Sequence, residues 1–160
     1  MNVKCPVCHM RVPADHMSLE YQQMHFAFCS AQCRERFEAT PHLYIGVPGE
    51  KSVKQAGREV IKRRCFYLEL PLSQEQAGIV ADALVEMMGI REAIVADREI
   101  RVTYDLLEAT AEQVERTLLK TGARLGNGWK EQLRRSLVHY REDCETANLE
   151  VADRGRHSHH

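Results

Sequence analysis

Long apolar runs are missing from this chain. No eighteen consecutive apolar residues occur, so we expect no segment to cross a membrane as a helix. The opening residues MNVKCPVC also lack the apolar core of a secretory signal peptide, and we therefore expect a cytoplasmic protein. Because a reducing cytoplasm disfavours structural disulfides, this expectation shifts paired cysteines towards metal binding or catalysis.

The chain also lacks an excess of either charge and is poor in aromatic residues. Its formal net charge is −1, and it contains four Phe, five Tyr and one Trp. This balance provides no electrostatic footprint for nucleic acid, so we predict no nucleic-acid partner. No Ser-His-Asp order, phosphate-cradling glycine loop or convincing carboxylate pair occurs, and we predict no enzymatic activity.

Cysteines, in contrast, are concentrated near the N-terminus. Four of the six lie within the first 33 residues, as Cys-x2-Cys, a spacer of twenty residues and Cys-x3-Cys: Cys5, Cys8, Cys29 and Cys33. A tight turn presents the first two sulfurs to one point, and the first turn of a helix capped by Ser30 presents the other two from one face. Four thiolates that converge tetrahedrally suit Zn²⁺, and the helix N-terminus favours thiolate over thiol.

Other uses of these cysteines are weaker. A thioredoxin-like redox pair would place Cys-x-x-C at the start of a helix in a βαβ unit and would leave the second pair unexplained. Cu⁺ and an iron–sulfur centre remain open as alternatives to Zn²⁺. A unit of about 45 residues buries little apolar surface, so the metal is either cargo or the staple that holds a small fold together.

The rest of the chain predicts an α+β protein with a second domain. After the metal-binding domain (1–45) we predict a basic linker (46–64), a domain over 65–126, a C-terminal amphipathic helix (127–151) and a disordered tail (152–160). The middle domain has the order strand, helix, hairpin, helix and short strand, which is the ferredoxin-like βαββαβ arrangement. Its first helix carries a capping box at Ser73 and Gln76, and its hairpin turns near Asp97.

Apolar residues recur at three- or four-residue steps along the C-terminal helix: Trp129, Leu133, Leu137, Tyr140 and Cys144. This stripe predicts docking on the preceding domain or a homodimer through the helix. The tail histidines His157, His159 and His160 are expected to bind metal only weakly.

Several isolated residues are better explained without a metal. We interpret Met87 and Met88 as core residues and Cys65 and Cys144 as small buried side chains. His139 and Asp143 are expected to make surface ion pairs. The histidines near the cysteine cluster are not needed as ligands, although His25 could supplement a thiolate: His16, His25 and His42.

The stretches CPVCHMRV, MHFAFCSAQC and RERFEATPHLY resemble the YHS/TRASH family of small metal-binding domains. The family's core, one cysteine followed after about twenty residues by Cys-x3-Cys, matches Cys8, Cys29 and Cys33. Cys5 adds a fourth sulfur, and His9 stands where relatives have glycine. The resemblance implies a treble-clef-like fold and a role in handling heavy metals, often copper, beside transport ATPases.

Residues 65–126, with GIREAIVADREIRVTYD and AEQVERTLLKTGARL, are similar to the heavy-metal-associated domain of copper chaperones and metal-transporting P-type ATPases. That family carries Met-x-Cys-x-x-Cys between its first strand and helix, whereas this chain has LPLSQEQAG. The resemblance therefore implies docking without a second metal site. Together the two resemblances predict a metal-trafficking, sensing or resistance protein that works with a metal-transporting ATPase or metallochaperone; the alternative is a zinc-stabilised interaction module.

Overall fold

The computed structural model describes residues 1–157, apart from the side chains of Trp129 and of residues 153–157. The chain has the predicted α+β fold and divides into two compact units. One consists of Met1–Glu59 together with the segment from Cys144 onward, and the other is Val60–Asp143. Among the described residues, every helix is too short or too polar to cross a membrane.

The N-terminal unit contains two short hairpins and a helix. Strand β1 (Asn2–Lys4) pairs with β2 (Arg11–Pro13), β3 (Leu19–Tyr21) pairs with β4 (Met24–Phe26), and helix α1 (Ala31–Ala39) follows. The first hairpin carries one cysteine pair and the start of α1 carries the other. The turn that carries Cys5 and Cys8, the second hairpin and helix α1 together form the treble-clef-like arrangement that the sequence resemblance implies.

The alternation of Met24, Phe26 and Phe28 in YQQMHFAFCS predicts a single strand, whereas the structure has the second hairpin here. Gln22 and Gln23 adopt positive φ angles of 51° and 65° and turn the chain between β3 and β4. Two consecutive left-handed residues match the twist of a tight two-residue hairpin, which is why the chain reverses here. Apolar alternation alone does not show such a turn when it contains no glycine or asparagine.

An aromatic core fixes α1 on the hairpin. The Phe37 ring is fully buried, and its centroid lies 4.9 to 6.2 Å from four other rings: Tyr21, Phe26, Phe28 and Tyr44. Ser30 caps the helix, as predicted, by accepting a hydrogen bond from the Cys33 N–H at 3.4 Å, and the helix ends at Thr40 before Pro41. Cys33 is thereby anchored one turn before the core.

The predicted linker at 46–64 is largely ordered structure. Ser52 and Val53 are buried, and the Lys54 N–H donates to the Leu43 carbonyl at 2.9 Å, so residues 46–59 form part of the N-terminal unit. A Cβ on Gly46 would lie 2.1 Å from the Glu50 carbonyl oxygen, which shows how closely the chain folds back on itself. The basic, glycine-containing composition concealed this packing, because it is made mainly by backbone groups.

The second unit has the order strand, helix, strand, strand, helix. Strand β5 (Ile61–Tyr67), helix α2 (Gln74–Glu86), strands β6 (Ile90–Val95) and β7 (Glu99–Asp105) and helix α3 (Ala111–Lys120) form it, with sheet order β5-β7-β6 and antiparallel pairing throughout. The predicted hairpin joins β6 to β7. The fourth strand is reduced to one bridge, in which Leu125 pairs with Leu68 just beyond β5. This is the ferredoxin-like arrangement with a shortened last strand.

Strand β5 begins four residues before the predicted start at Cys65. Its register pairs Ile61 with Asp105 and Arg64 with Val102, so four residues of the predicted linker are strand residues on the sheet edge. Basic side chains at an edge conceal a strand from hydropathy patterns, because they do not alternate with apolar residues. In the core of this unit, Met87 packs against the buried cluster as predicted.

Helix α4 (Trp129–His157) begins two residues after the predicted start and continues six residues beyond the predicted end. No proline interrupts these residues, and most favour helix. The predicted apolar stripe is not the docking face within the second unit: Leu133, Leu137 and Tyr140 are exposed, whereas Glu142 is 1% exposed. The rest of the predicted tail, residues 158–160 with two of its histidines, lies outside the described residues, as does the side chain of His157.

Candidate metal centre

The first cysteine pair lies in the turn of the β1–β2 hairpin. The Cys5 N–H donates to the Met10 carbonyl at 2.8 Å and the His9 N–H donates to the Cys5 carbonyl at 2.9 Å, which closes a knuckle around Cys8. His9 takes a positive φ of 67°, a left-handed conformation that favours glycine. This geometry turns the Cys5 and Cys8 sulfurs to the same side.

The second pair flanks the N-cap of α1. Cys29 precedes Ser30, and Cys33 lies in the first helical turn, where its N–H bonds to the cap. A thiolate at this position benefits from the positive end of the helix dipole and its unpaired N–H groups. The start of the helix therefore both stabilises the thiolates electrostatically and holds the two sulfurs close together.

The structure brings all four predicted cysteines into one cluster. Their sulfur atoms lie within 4.8 Å of one another, with Cys8 Sγ 3.3 Å from Cys29 Sγ and Cys29 Sγ 3.4 Å from Cys33 Sγ. Four thiolates around one Zn²⁺, at a Zn–S distance of about 2.3 Å, would be separated by about 3.8 Å. The cluster thus has the size and donor set of a mononuclear tetrathiolate site, and this fit supports a metal-binding role.

The four thiols form one coupled set. Hydrogen bonds from the Cys29, Cys33 and Cys8 side chains lower the pKa of Cys5, with a smaller contribution from the Cys8 backbone N–H. The bond with Cys33 lowers the pKa of Cys29. The pKa values of Cys8 and Cys33 are raised, chiefly by their bonds with Cys29. The protons that remain on the cluster are therefore shared between sulfurs, and a cation that replaces them must neutralise up to four negative charges.

Burial of the four cysteines is unequal. Cys5 and Cys33 are fully buried, whereas Cys8 and Cys29 are half-buried. Since Cys8 Sγ and Cys29 Sγ are only 3.3 Å apart, the two half-buried residues form one side of the cluster, which we call the open edge. The sequence contains no signal for this difference, because both Cys-x2-Cys and Cys-x3-Cys pairs contribute one buried and one half-buried member.

The nearby histidines bond elsewhere. The His16 ring is 2.6 Å from the Phe28 carbonyl oxygen and the His25 ring is 2.6 Å from the Ala14 carbonyl oxygen. The His42 ring is 3.1 Å from the Tyr21 hydroxyl. Each of these contacts occupies one ring nitrogen, and among the described residues the metal-ligand cluster consists of cysteines alone.

The other sequence candidates lie apart from the cluster. Cys65 and Cys144 are half-buried rather than fully buried, so they only partly fit the prediction of small core residues. His139 bonds to Glu115 of α3, which is buried, so this contact differs from the surface ion pair that the sequence predicted.

The loop that would hold copper in a heavy-metal-associated domain has a different use here. The Ser73 Oγ accepts from the Gln76 N–H at 3.2 Å, and the Gln76 Oε1 accepts from the Ser73 N–H at 3.0 Å. This reciprocal pair is the predicted capping box of α2. Its side chains satisfy the helix terminus and offer no sulfur.

Comparisons with known proteins add little to this geometry. No family model and no curated protein matches the sequence. A solved structure described as a CsoZ metallochaperone is 17% identical, with a TM-score of 0.40, and the match covers 42% of this chain and 100% of that one. At these values the likeness carries no functional argument, so the case for metal binding rests on the four sulfurs.

Proposed function

We propose that this protein is a non-catalytic carrier of a soft metal ion, held by Cys5, Cys8, Cys29 and Cys33. The observation that carries the proposal is a four-sulfur cluster with one open edge. A carrier must let an acceptor reach the bound ion, and half-buried Cys8 and Cys29 are the ligands that an acceptor would approach. An open edge meets that requirement without unfolding.

Transfer through the open edge would proceed by ligand exchange. An acceptor thiolate approaches the ion beside Cys8 and Cys29 and displaces one of them, and a second acceptor thiolate displaces the other. The departing sulfurs take up protons from solvent, while Cys5 and Cys33 hold the ion until further acceptor ligands displace them in turn. Because the two buried sulfurs leave last, the ion is never released free into solvent.

Charge favours Zn²⁺ over Cu⁺ as the cargo. Four thiolates leave a net charge of −2 around Zn²⁺ and −3 around Cu⁺. The smaller residual charge and the tetrahedral donor set both suit Zn²⁺, so we propose Zn²⁺ with Cu⁺ as the competing ion.

We further propose that the carrier works in metal trafficking, sensing or resistance, with a metal-transporting P-type ATPase or a metallochaperone as its acceptor. Support comes from the sequence resemblances and from the ferredoxin-like unit, whose capped loop leaves it without a metal site. Its contribution would then be docking.

One observation favours a second function, a zinc-stabilised interaction module. Cys33 and Phe37 lie one turn apart on α1, and Phe37 is the centre of the aromatic core. A metal on Cys33 therefore also holds that helix in place. In this case the ion would leave only when the N-terminal unit unfolds.

Kinetics of zinc transfer separate the two functions. Full-length zinc-loaded protein is mixed with increasing concentrations of a chromogenic dithiol chelator, and circular dichroism is followed in parallel. A carrier transfers zinc at a rate proportional to chelator concentration, without loss of helix signal. A rate that does not depend on chelator concentration and equals the unfolding rate would refute the carrier proposal.

Cysteine variants sharpen this experiment. Cys8→Ser is expected to retain a weaker site that exchanges faster, whereas Cys5→Ser should lower zinc affinity and also destabilise the unit. Cys65→Ser, in the other unit, is the matched control and should change neither the rate of zinc transfer nor the zinc affinity. Metal content and the absorption spectrum of protein purified without added metal distinguish zinc from iron, and competition with a Cu⁺ chelator tests the competing ion.

A further inference from the structure

An open groove lies between β5 and the part of α4 that belongs to the second unit. Its volume is about 600 Å³. Five basic residues line it, and no acidic residue does among those described: Arg63, Arg64, Lys130, Arg134 and Arg141. Arg64 lies 3.7 Å from Glu142 and Arg134 lies 3.6 Å from Glu131, so the groove has a net positive charge carried mainly by the other three side chains, although the whole chain has a net charge of −1. We call it the basic groove.

The main chain of β5 forms one wall of the basic groove. β5 is the edge strand of the order β5-β7-β6; the reduced fourth strand bridges Leu68 just beyond its end, and the Gly126 N–H donates to the carbonyl of its last residue, Tyr67, at 2.8 Å. A guanidinium nitrogen of Arg134 donates to the Cys65 carbonyl at 3.5 Å, so this carbonyl faces the groove. Edge-strand backbone of this kind can pair with an extended chain.

The opposite wall carries apolar surface between the charges. Leu133 and Leu137 line the groove and are 53% and 46% exposed. They belong to the apolar stripe of α4 that the second unit does not bury. A ligand that fits must therefore offer negative charge and apolar groups together.

Two other occupants fit less well. In a symmetric dimer across this face, the same patch would meet itself and bring ten basic side chains together, five from each copy, which is electrostatically unfavourable. For nucleic acid, Tyr67 is the aromatic residue of the lining, and the Arg134 guanidinium already covers its ring at 4.7 Å from the centroid. Phosphates would also leave both leucines uncovered.

We propose that the basic groove binds an extended acidic segment of a partner protein. Its carboxylates pair with Arg63 and Arg141 at the two walls, its apolar side chains cover Leu133 and Leu137, and its backbone lies along the edge of β5. Electrostatic complementarity of this kind raises the association rate and selects the partner, while the apolar contacts slow dissociation. The proposal does not depend on the metal.

Binding is tested with full-length zinc-loaded protein and a fluorescein-labelled peptide of about ten residues that alternates Glu and Val, a length that matches an extended strand. We expect saturable binding by fluorescence anisotropy. Replacing every Glu by Lys, or every Val by Ser, should weaken binding at least about tenfold, and raising the salt concentration should weaken it further. Failure of the Glu-Val peptide to bind, or equal binding of the control peptides, would overturn the proposal.

Variants locate the site. Arg63→Glu combined with Arg141→Glu should weaken binding about tenfold, and Leu137→Ser should weaken it several-fold. Lys120→Glu, at the exposed end of α3 outside the groove, is the matched control and should leave the affinity unchanged. All of these side chains are exposed, so unchanged far-UV circular dichroism is expected and verifies the fold.

Three outcomes would count against the acidic segment. One is an equal loss of affinity in the Lys120→Glu control. Another is an oligothymidine probe that binds more tightly than the peptide and is lost in the same arginine variants, which would assign the groove to nucleic acid. The last is a dimer in sedimentation analysis that Leu137→Ser dissociates, which would assign the exposed stripe to a second copy.

Discussion

The carboxylate of Glu142 is expected to hold α4 on the second unit. Glu142 is 1% exposed; its Oε1 accepts from the Ala111 N–H at 2.7 Å and its Oε2 accepts from the Tyr104 hydroxyl. Arg64 lies 3.7 Å from the same carboxylate. Ala111 is the first residue of α3, whose N–H has no partner within its own helix, so one side chain satisfies a helix terminus, a buried hydroxyl and a cation.

Two substitutions separate packing from hydrogen bonding. Each hydrogen bond to a charged acceptor contributes about 1.5 to 3 kcal/mol, and Glu142→Ala leaves both donors buried without a partner, so we expect a cost of about 3 to 5 kcal/mol. Glu142→Gln retains the volume and one carbonyl acceptor, and about 1 to 2 kcal/mol is expected. For a unit of this size, each kcal/mol corresponds to a change in Tm of about 4 to 8 °C.

Urea unfolding of the full-length protein measures the cost, and amide hydrogen exchange at Ala111 locates it. We expect the Ala111 amide to be protected in the wild type and to exchange much faster in Glu142→Ala. Asp143→Ala, exposed and next along the helix, is the matched control and should change the free energy of unfolding by less than about 0.5 kcal/mol. A cost below about 1 kcal/mol for Glu142→Ala with unchanged Ala111 protection would refute this account of how α4 docks.

Three further predictions follow from local features. Burial and the charge of Glu142 raise the pKa of Tyr104 above 10.0, so the stability that its neutral form contributes is complete below pH 10 and is lost as pH rises further. Tyr104→Phe should therefore flatten the decline of the urea midpoint with pH above pH 10. An unchanged decline would contradict the raised pKa of Tyr104. His9→Gly relieves a positive φ of 67° and should stabilise the zinc-bound N-terminal unit by about 1 kcal/mol in thermal melts, whereas a lower Tm would show that the His9 side chain has a role of its own. Gly46→Ala places a Cβ 2.1 Å from the Glu50 carbonyl oxygen and should cost more than about 2 kcal/mol by urea unfolding; near-wild-type stability would mean that this turn can open freely.

The sequence predicted correctly those features that depend on one residue and its near neighbours in the chain. Ser30 and Ser73 were each predicted as helix N-caps, and each accepts the expected backbone hydrogen bond. The hairpin between β6 and β7 was likewise predicted. These features depend on neighbours within a few positions, so chain order alone specifies them.

Features that depend on distant partners were missed or shifted. The basic start of β5 resembles a linker until its register with β7 is known, and the two glutamines that turn the chain between β3 and β4 carry no turn signature. The apolar stripe of α4 suggested the wrong docking face, because the true one is decided by Glu142 meeting the start of α3, 31 residues earlier in the chain. A buried carboxylate gives no hydropathy signal.

The sequence by itself determined the four thiols of the candidate centre, since cysteine spacing and helix-start chemistry are local. That Cys8 and Cys29 form an open edge while Cys5 and Cys33 are buried was decided only by the tertiary structure. Accessibility depends on everything packed around an atom, from any part of the chain, whereas ligand identity depends on the residue alone. The same reason applies to the basic groove. The sequence shows which residues are basic, but only the folded structure shows that they lie on one surface.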